Sequence, residues 1–272
     1  MKFASEYLTP IQIVFVRIFF GFIPVLIYAL SKGVLNKGHG KHIGHLIVLA
    51  MIGTIAYYYG FTKGASLLNS GIVGALSGLT PIFSLLLALV LLAEEKTTVH
   101  KIFGIILGFL GILLIARPFE SGISDSNLNG IIFTLLGSLS VGASFVYVKK
   151  YILPLNIDPT AIVTYQLGLA ILSLRPITEL NNLTVVLSSF YVSLALIVGL
   201  GILGTGIAFI LYYYIIEKMG AVKASSVAYV PPIVALIIGV LLAGEQIVFW
   251  EYLGSLFILI GLMLVNKNNQ KS

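Results

Sequence analysis

One permanent charge, Arg17, sits inside an apolar stretch, "IQIVFVRIFFGFIP" at residues 11–24. A guanidinium stays protonated and presents five donors in a flat fork, so its chemistry is capture of an anionic group rather than proton transfer. A second polar side chain, Gln166, lies in the apolar run "TAIVTYQLGLAIL" at 160–172. Hydroxyls gather ahead of two prolines: Ser77 and Thr80 before Pro81, and Ser225, Ser226 and Tyr229 before Pro231. Such groups can hold a polar ligand. No apolar run carries the cluster of histidines or carboxylates that would activate a nucleophile or a water.

The remaining reactive residue types point the same way. Zero cysteines exclude thiolate metal sites and disulfides. Three of the four histidines, His39, His42 and His45, share the loop "NKGHGKHIGH" at 36–45. Their spacing could hold a metal, but Lys37 and Lys41 beside them repel cations, and a solvated loop is the simpler reading. There is no GxxxxGK[ST] phosphate loop, so the chain has no ATPase of its own. We expect no cofactor, no metal and no enzyme activity.

What must position these side chains is a membrane bundle. The chain is 58% apolar and 10% charged, with a mean hydropathy of +1.07, whereas soluble domains carry roughly 25% charged residues. A spanning helix needs about 20 mostly apolar residues. Nine stretches come near that length: 10–30, 44–62, 70–93, 98–116, 129–148, 158–175, 192–216, 222–243 and 248–266. None alternates apolar and polar residues as a barrel strand does. The fold class expected is an all-α polytopic membrane protein.

Charge sets the orientation. With spans on alternating sides, one side collects eleven lysines (32, 37, 41, 96, 101, 149, 150, 218, 223, 267 and 271). The other has Lys2, Lys63, Arg117 and Arg175. Short cytoplasmic loops are enriched in Lys and Arg, so the lysine-rich side and the C-terminus are expected in the cytoplasm. The net charge of +6 is thus accounted for by the bilayer, and no nucleic-acid partner is implied.

The sequence also repeats itself. A shift of 150 residues lays "TPIFSLLLALVLLAEE" (80–95) over "VPPIVALIIGVLLAGE" (230–245), with Pro81 on Pro231 and Glu95 on Glu245. Gly104 then falls on Gly254 and Gly111 on Gly261 in the same register. Upstream, a shift of 149 lays Pro10 on Pro159 and Arg17 on Gln166. The alternating topology puts Glu95 and Glu245 on opposite sides, so the copies are inverted. Residues 129–266 hold five spans and residues 1–117 only four. Nine spans of an expected ten are present, and the missing one is the first; we expect it upstream of Met1, the other reading being a nine-helix variant.

The order "EYLTP…R-I-F", the proline-bearing span, "VLLAEE" and "VLLAGE", and the five-helix duplication resemble the EamA-type transporters of the drug/metabolite transporter superfamily. The departure is the first helix, where that family often carries a tryptophan-glycine pair. The resemblance implies a secondary transporter with a central cavity between two halves, often exporting metabolites or amino acids across the cell (inner) membrane. It implies a small-molecule substrate and the lipid bilayer as partners; substrate, coupling ion and oligomeric state stay open. A non-transporting membrane subunit or sensor on the same fold is the alternative.

Within that frame the residues take roles. Mid-span prolines remove a helical hydrogen bond, so Pro81 and Pro231 are expected as hinges, with passive packing kinks the plainer reading. Arg17 costs roughly 2.5–3.5 kcal/mol in the bilayer centre unless it faces a cavity or partner; snorkelling to the outer surface is the other option. Arg17 and Gln166, with Ser77, Thr80, Ser225, Ser226 and Tyr229, are the expected substrate contacts. Glu94, Glu95 and Glu245 read as span ends placed before helix N-termini. One tyrosine of each triplet, 57–59 and 212–214, must point inward. Gly74–Gly78 and Gly104–Gly108 read as close-packing faces.

Overall fold

The computed structural model describes residues 8–68, 70–92, 98–116, 128–179, 193–230 and 249–266. Pro231, Pro232, Glu94, Glu95 and Glu245 lie outside the described residues. Every regular element among the described residues is a helix. Each repeat opens in the same way. Helix α1 (Pro10–Lys32) starts at Thr9, which exchanges hydrogen bonds with Gln12 in a capping box, with Pro10 in its first turn. Proline there forfeits no bond, because the first N–H groups of a helix have no internal partner. Helix α6 (Pro159–Ile177) is the counterpart, capped by Asp158, whose carboxylate accepts from Thr160 N at 2.7 Å. The "T-P" and "D-P" pairs that mark the duplication are therefore two helix starts. Gly33 closes α1 in the left-handed region, φ 64°.

Helix α2 (Lys37–Leu67) widens to π winding at Met51–Ala56. Helix α3 (Ile72–Leu91) is followed by α4 (Val99–Ala116) and α5 (Leu128–Leu155). α5 runs past the expected end near 148, through Lys149 and Lys150, on a π turn and a 3-10 turn that stop at Asn156 with φ 53°. α7 (Leu196–Met219) belongs in its first part to a π run over Leu194–Ile207. α8 (Ala221–Ser225) passes into a 3-10 turn at Ser226–Tyr229, and α9 (Phe249–Asn266) ends the described chain. Six of the described helices (α1, α2, α3, α5, α6 and α7) are long and apolar enough to cross a bilayer. Val90, Leu172 and Met263 expose 81%, 71% and 72% of their surface, an arrangement that suits lipid and not water.

The mid-span proline breaks its helix rather than bending it. α3 is two segments, Ser70–Ser77 and Thr80–Leu91, with Pro81 in the first turn of the second. Gly78 and Leu79 make the break, bonding back to Ala75 and Leu76 through tightened turns. Pro81 has no N–H for Ser77 O, so the helical ladder lapses there. In the second copy the 3-10 turn at Ser226–Tyr229 stands 150 residues after 76–79. Both copies lose α winding just ahead of the matched proline.

Helix contacts display the inversion. A Cβ on Gly104 would lie 2.6 Å from Gly261 O, and one on Gly111 would lie 2.5 Å from Gly254 O. The reciprocal approaches, Gly254 to Gly111 O and Gly261 to Gly104 O, are each 2.6 Å. Position 104 meets 261 while 111 meets 254, so α4 and α9 run antiparallel. These are the equivalent helices of the two copies; equivalent helices that oppose each other mean inverted copies. Gly108 is pressed by the Tyr229 ring and Gly78 by Ile112, whereas a Cβ on Gly74 would meet nothing within 4 Å among the described residues. The main core joins α1, α2, α6 and α7 through Val14, Ile18, Leu49, Ile162, Leu167 and Phe209.

Candidate substrate site

Arg17 points into the bundle. It is 6% exposed, its Nε donates to Thr205 Oγ1 at 2.8 Å, and its Nη2 donates to Gly204 O at 2.9 Å. Its guanidinium carbon lies 3.7 Å from the centre of the Tyr58 ring, a contact worth about 0.5–2 kcal/mol depending on desolvation. Tyr58 in turn donates to Thr205 Oγ1 at 3.2 Å. Snorkelling does not describe this side chain: its bonds run to α7. Among the described residues no carboxylate pairs with it.

Gln166 makes the matching connection in the opposite sense. Its Nε2 donates to Thr54 Oγ1 at 2.7 Å, and its Oε1 accepts from the Tyr213 hydroxyl. It is fully buried. Arg17 belongs to the first copy and bonds a threonine of the second; Gln166 belongs to the second and bonds a threonine of the first. Both threonines stand in π-helical turns, Thr54 in Met51–Ala56 and Thr205 in Leu194–Ile207. There Thr205 Oγ1 itself donates five residues back, to Leu200 O at 2.8 Å. π turns are uncommon and gather at functional positions, because the wider ring re-aims backbone carbonyls.

Four of the five expected hydroxyls donate to backbone carbonyls. Ser77 donates to Gly74 O, Ser225 to Val222 O, Ser226 to Lys223 O and Tyr229 to Ile105 O. Each of these four hydroxyls therefore satisfies a backbone carbonyl. Thr80 is buried at the start of the second segment of α3, beside Gly142 of α5. One turn further, the Ser84 hydroxyl is fully buried with no hydrogen-bond partner among the described residues.

This geometry agrees with what the chain is similar to. A profile of the EamA-like transporter family matches residues 1–117 and 128–267. The chain belongs to the EamA-like transporter family. An "Uncharacterized transporter" of Archaeoglobus fulgidus is 26% identical over 265 residues, 97% of this chain and 91% of the relative. The "Uncharacterized transporter YoaV" of Bacillus subtilis is 25% identical over 97% of this chain and 89% of its own. The "Uncharacterized inner membrane transporter YedA" of Escherichia coli is 29% identical over 72% of this chain and 61% of its own. A solved crystal structure shares the fold with a TM-score of 0.76, covering 95% of this chain and 88% of that one at 15% identity. As an EamA-family protein the chain is a multi-pass membrane transporter.

In this EamA chain the histidine loop is distributed among tyrosines. His39 Nδ1 is 3.2 Å from the Tyr165 hydroxyl, and His45 Nδ1 is 2.7 Å from that of Tyr147. The inward member of each tyrosine triplet is the middle one: Tyr58 and Tyr213 are 2% and 3% exposed. Thr54 and Thr205, the acceptors of Gln166 and Arg17, were not singled out by the sequence. Their signal is a second repeat, "IGTIA" at 52–56 against "LGTGIA" at 203–208, hidden by the extra Gly206.

Proposed function

We propose that the protein is a secondary transporter that moves a small metabolite or amino acid across the cell membrane by alternating access, in the export direction. Residues 1–117 and 129–266 are the two halves that exchange conformations, Pro81 and Pro231 mark their hinges, and Arg17 and Gln166 contact the substrate. Inverted repeats suit this mechanism, because exchanging the shapes of the halves turns an inward-facing site outward. The observation that carries the reading is Arg17. A buried, permanently charged group within a spanning helix, met among the described residues by a carbonyl, a hydroxyl and an aromatic face, is costly to keep and gains most from an anionic visitor.

The test is flux. Proteoliposomes containing the purified chain, loaded with metabolites that accumulate in cells lacking the protein, should release one class of them faster than empty liposomes. Absence of protein-dependent flux for every accumulated solute would leave a non-transporting membrane subunit instead. The orientation is tested separately: a phosphatase fused after Ser272 should be inactive and a fluorescent protein there bright, because the lysine-rich side faces the cytoplasm. An active phosphatase would reverse the assignment.

A further inference from the structure

Around Arg17 the aromatic residues are contiguous. Tyr57 and Tyr58 have ring centres 4.4 Å apart, Tyr58 and Phe209 6.0 Å, Phe209 and Tyr212 6.5 Å, and Tyr212 and Phe145 5.4 Å. Their hydroxyls are not used alike. Tyr58 and Tyr213 are engaged with Thr205 and Gln166. Tyr57 and Tyr212, both half-buried, have no hydrogen-bond partner among the described residues, and their rings join Arg17 through Tyr58 and Phe209. Arg17 also holds donors in reserve: of its five N–H groups, the bonds to Thr205 and Gly204 engage two.

A carboxylate offers about four lone-pair sites on two oxygens. Spare guanidinium N–H groups and two phenolic O–H groups are complementary to such an acceptor. Among the described residues Arg17 is the cation seated on these rings, over that of Tyr58, so one negative charge is what the cluster can balance. Among the described side chains no acid stands in this cluster to receive a substrate ammonium. Among the described residues, Asp158 caps α6, Glu179 follows it, and Glu217 is paired with Lys218 on the surface. Beside these polar groups lie the rings of Phe145 and Phe209, 5.4 and 6.5 Å from that of Tyr212.

We infer that Arg17, Tyr57 and Tyr212 form the anion subsite, and that its ligand is a small organic monoanion: a carboxylate on a flat or apolar body lying along Phe145 and Phe209. The inference rests on the transporter reading for its biological sense, but its test does not. The full chain in lipid nanodiscs is titrated with radiolabelled phenylacetate, with phenylacetamide as the neutral competitor of the same shape. Saturable phenylacetate binding is expected, with phenylacetamide failing to compete at a tenfold higher concentration. Tyr57→Phe and Tyr212→Phe keep their rings and lose one donor each. Each should weaken binding about tenfold, as removal of a hydrogen bond to a charged group does, while Tyr59→Phe, whose ring packs on Phe133, changes nothing. Absence of saturable binding, equal competition by the amide, or unchanged affinity in both tyrosine variants overturns the subsite. Tyrosine-dependent binding without counterflow of labelled phenylacetate would uphold the subsite and remove transport. Flux of other solutes indifferent to both variants would remove the subsite and leave transport.

Discussion

Gln166 donates to Thr54 Oγ1 at 2.7 Å from one repeat to the other, and Arg17 donates to Thr205 Oγ1 at 2.8 Å in the reverse direction. The two bonds are the same contact made twice about the relation between the inverted copies. They differ in charge, so they should differ in worth. A neutral hydrogen bond contributes about 1 kcal/mol net, and one to a charged group about 1.5–3 kcal/mol.

Thr205→Val should therefore destabilise the protein more than Thr54→Val. Valine keeps the shape, leaves the Arg17 Nε without its acceptor and leaves the Tyr58 hydroxyl the longer 3.4 Å bond to Gly204 O, a loss of about 2–3 kcal/mol against about 1 kcal/mol at Thr54. Thermal unfolding in detergent measures the order. Equal shifts would mean that the Arg17 charge is carried by Gly204 O and the Tyr58 ring.

Arg17→Lys should lower transport partially, since the charge survives and the forked geometry does not. Arg17→Gln should abolish transport of anionic substrates while the protein still inserts. Gln166→Ala should raise the half-saturating concentration only severalfold, because a neutral hydrogen bond is the weaker one. Uptake divided by the amount of inserted protein is the measurement. A normal specific rate in Arg17→Gln would assign Arg17 to folding alone.

Pro81→Ala should slow turnover by several-fold at nearly unchanged substrate affinity. Alanine restores an N–H opposite Ser77 O and permits continuous winding through Gly78 and Leu79, stiffening the break. Pro231→Ala is expected to act in the same direction, and Pro232→Ala less, since Ile82 stands at its equivalent. Unchanged turnover in Pro81→Ala and Pro231→Ala would make the breaks passive.

Gly111→Ala and Gly254→Ala should each cost about 1–3 kcal/mol, the usual penalty for adding a methyl where backbones touch. The added carbon would sit 2.5–2.6 Å from a carbonyl oxygen of the facing helix. Gly74→Ala, where no described atom lies within 4 Å of the added carbon, should be neutral or slightly stabilising. Thermal unfolding of the three variants side by side checks the contrast.

The spans, their alternation and their duplication were legible in the chain because they depend on local quantities. Apolar length, a proline or a capping residue acts within a few residues of itself, as "LTP" before α1 and "IDP" before α6 show. The lysine asymmetry is likewise a property of loops and needs no packing. Arg17 and Gln166 could be singled out because a polar group in an apolar run is conspicuous wherever it points. Where they point was decided by tertiary structure. The partners are 188 and 112 residues distant in sequence, and Thr54 and Thr205 become acceptors only because π turns present them to the facing repeat. The same holds for Ser225, Ser226 and Tyr229: sequence placed their hydroxyls near a proline, but free helical and backbone carbonyls took them first. A hydroxyl bonds the nearest acceptor that packing offers, and packing is a property of the whole bundle.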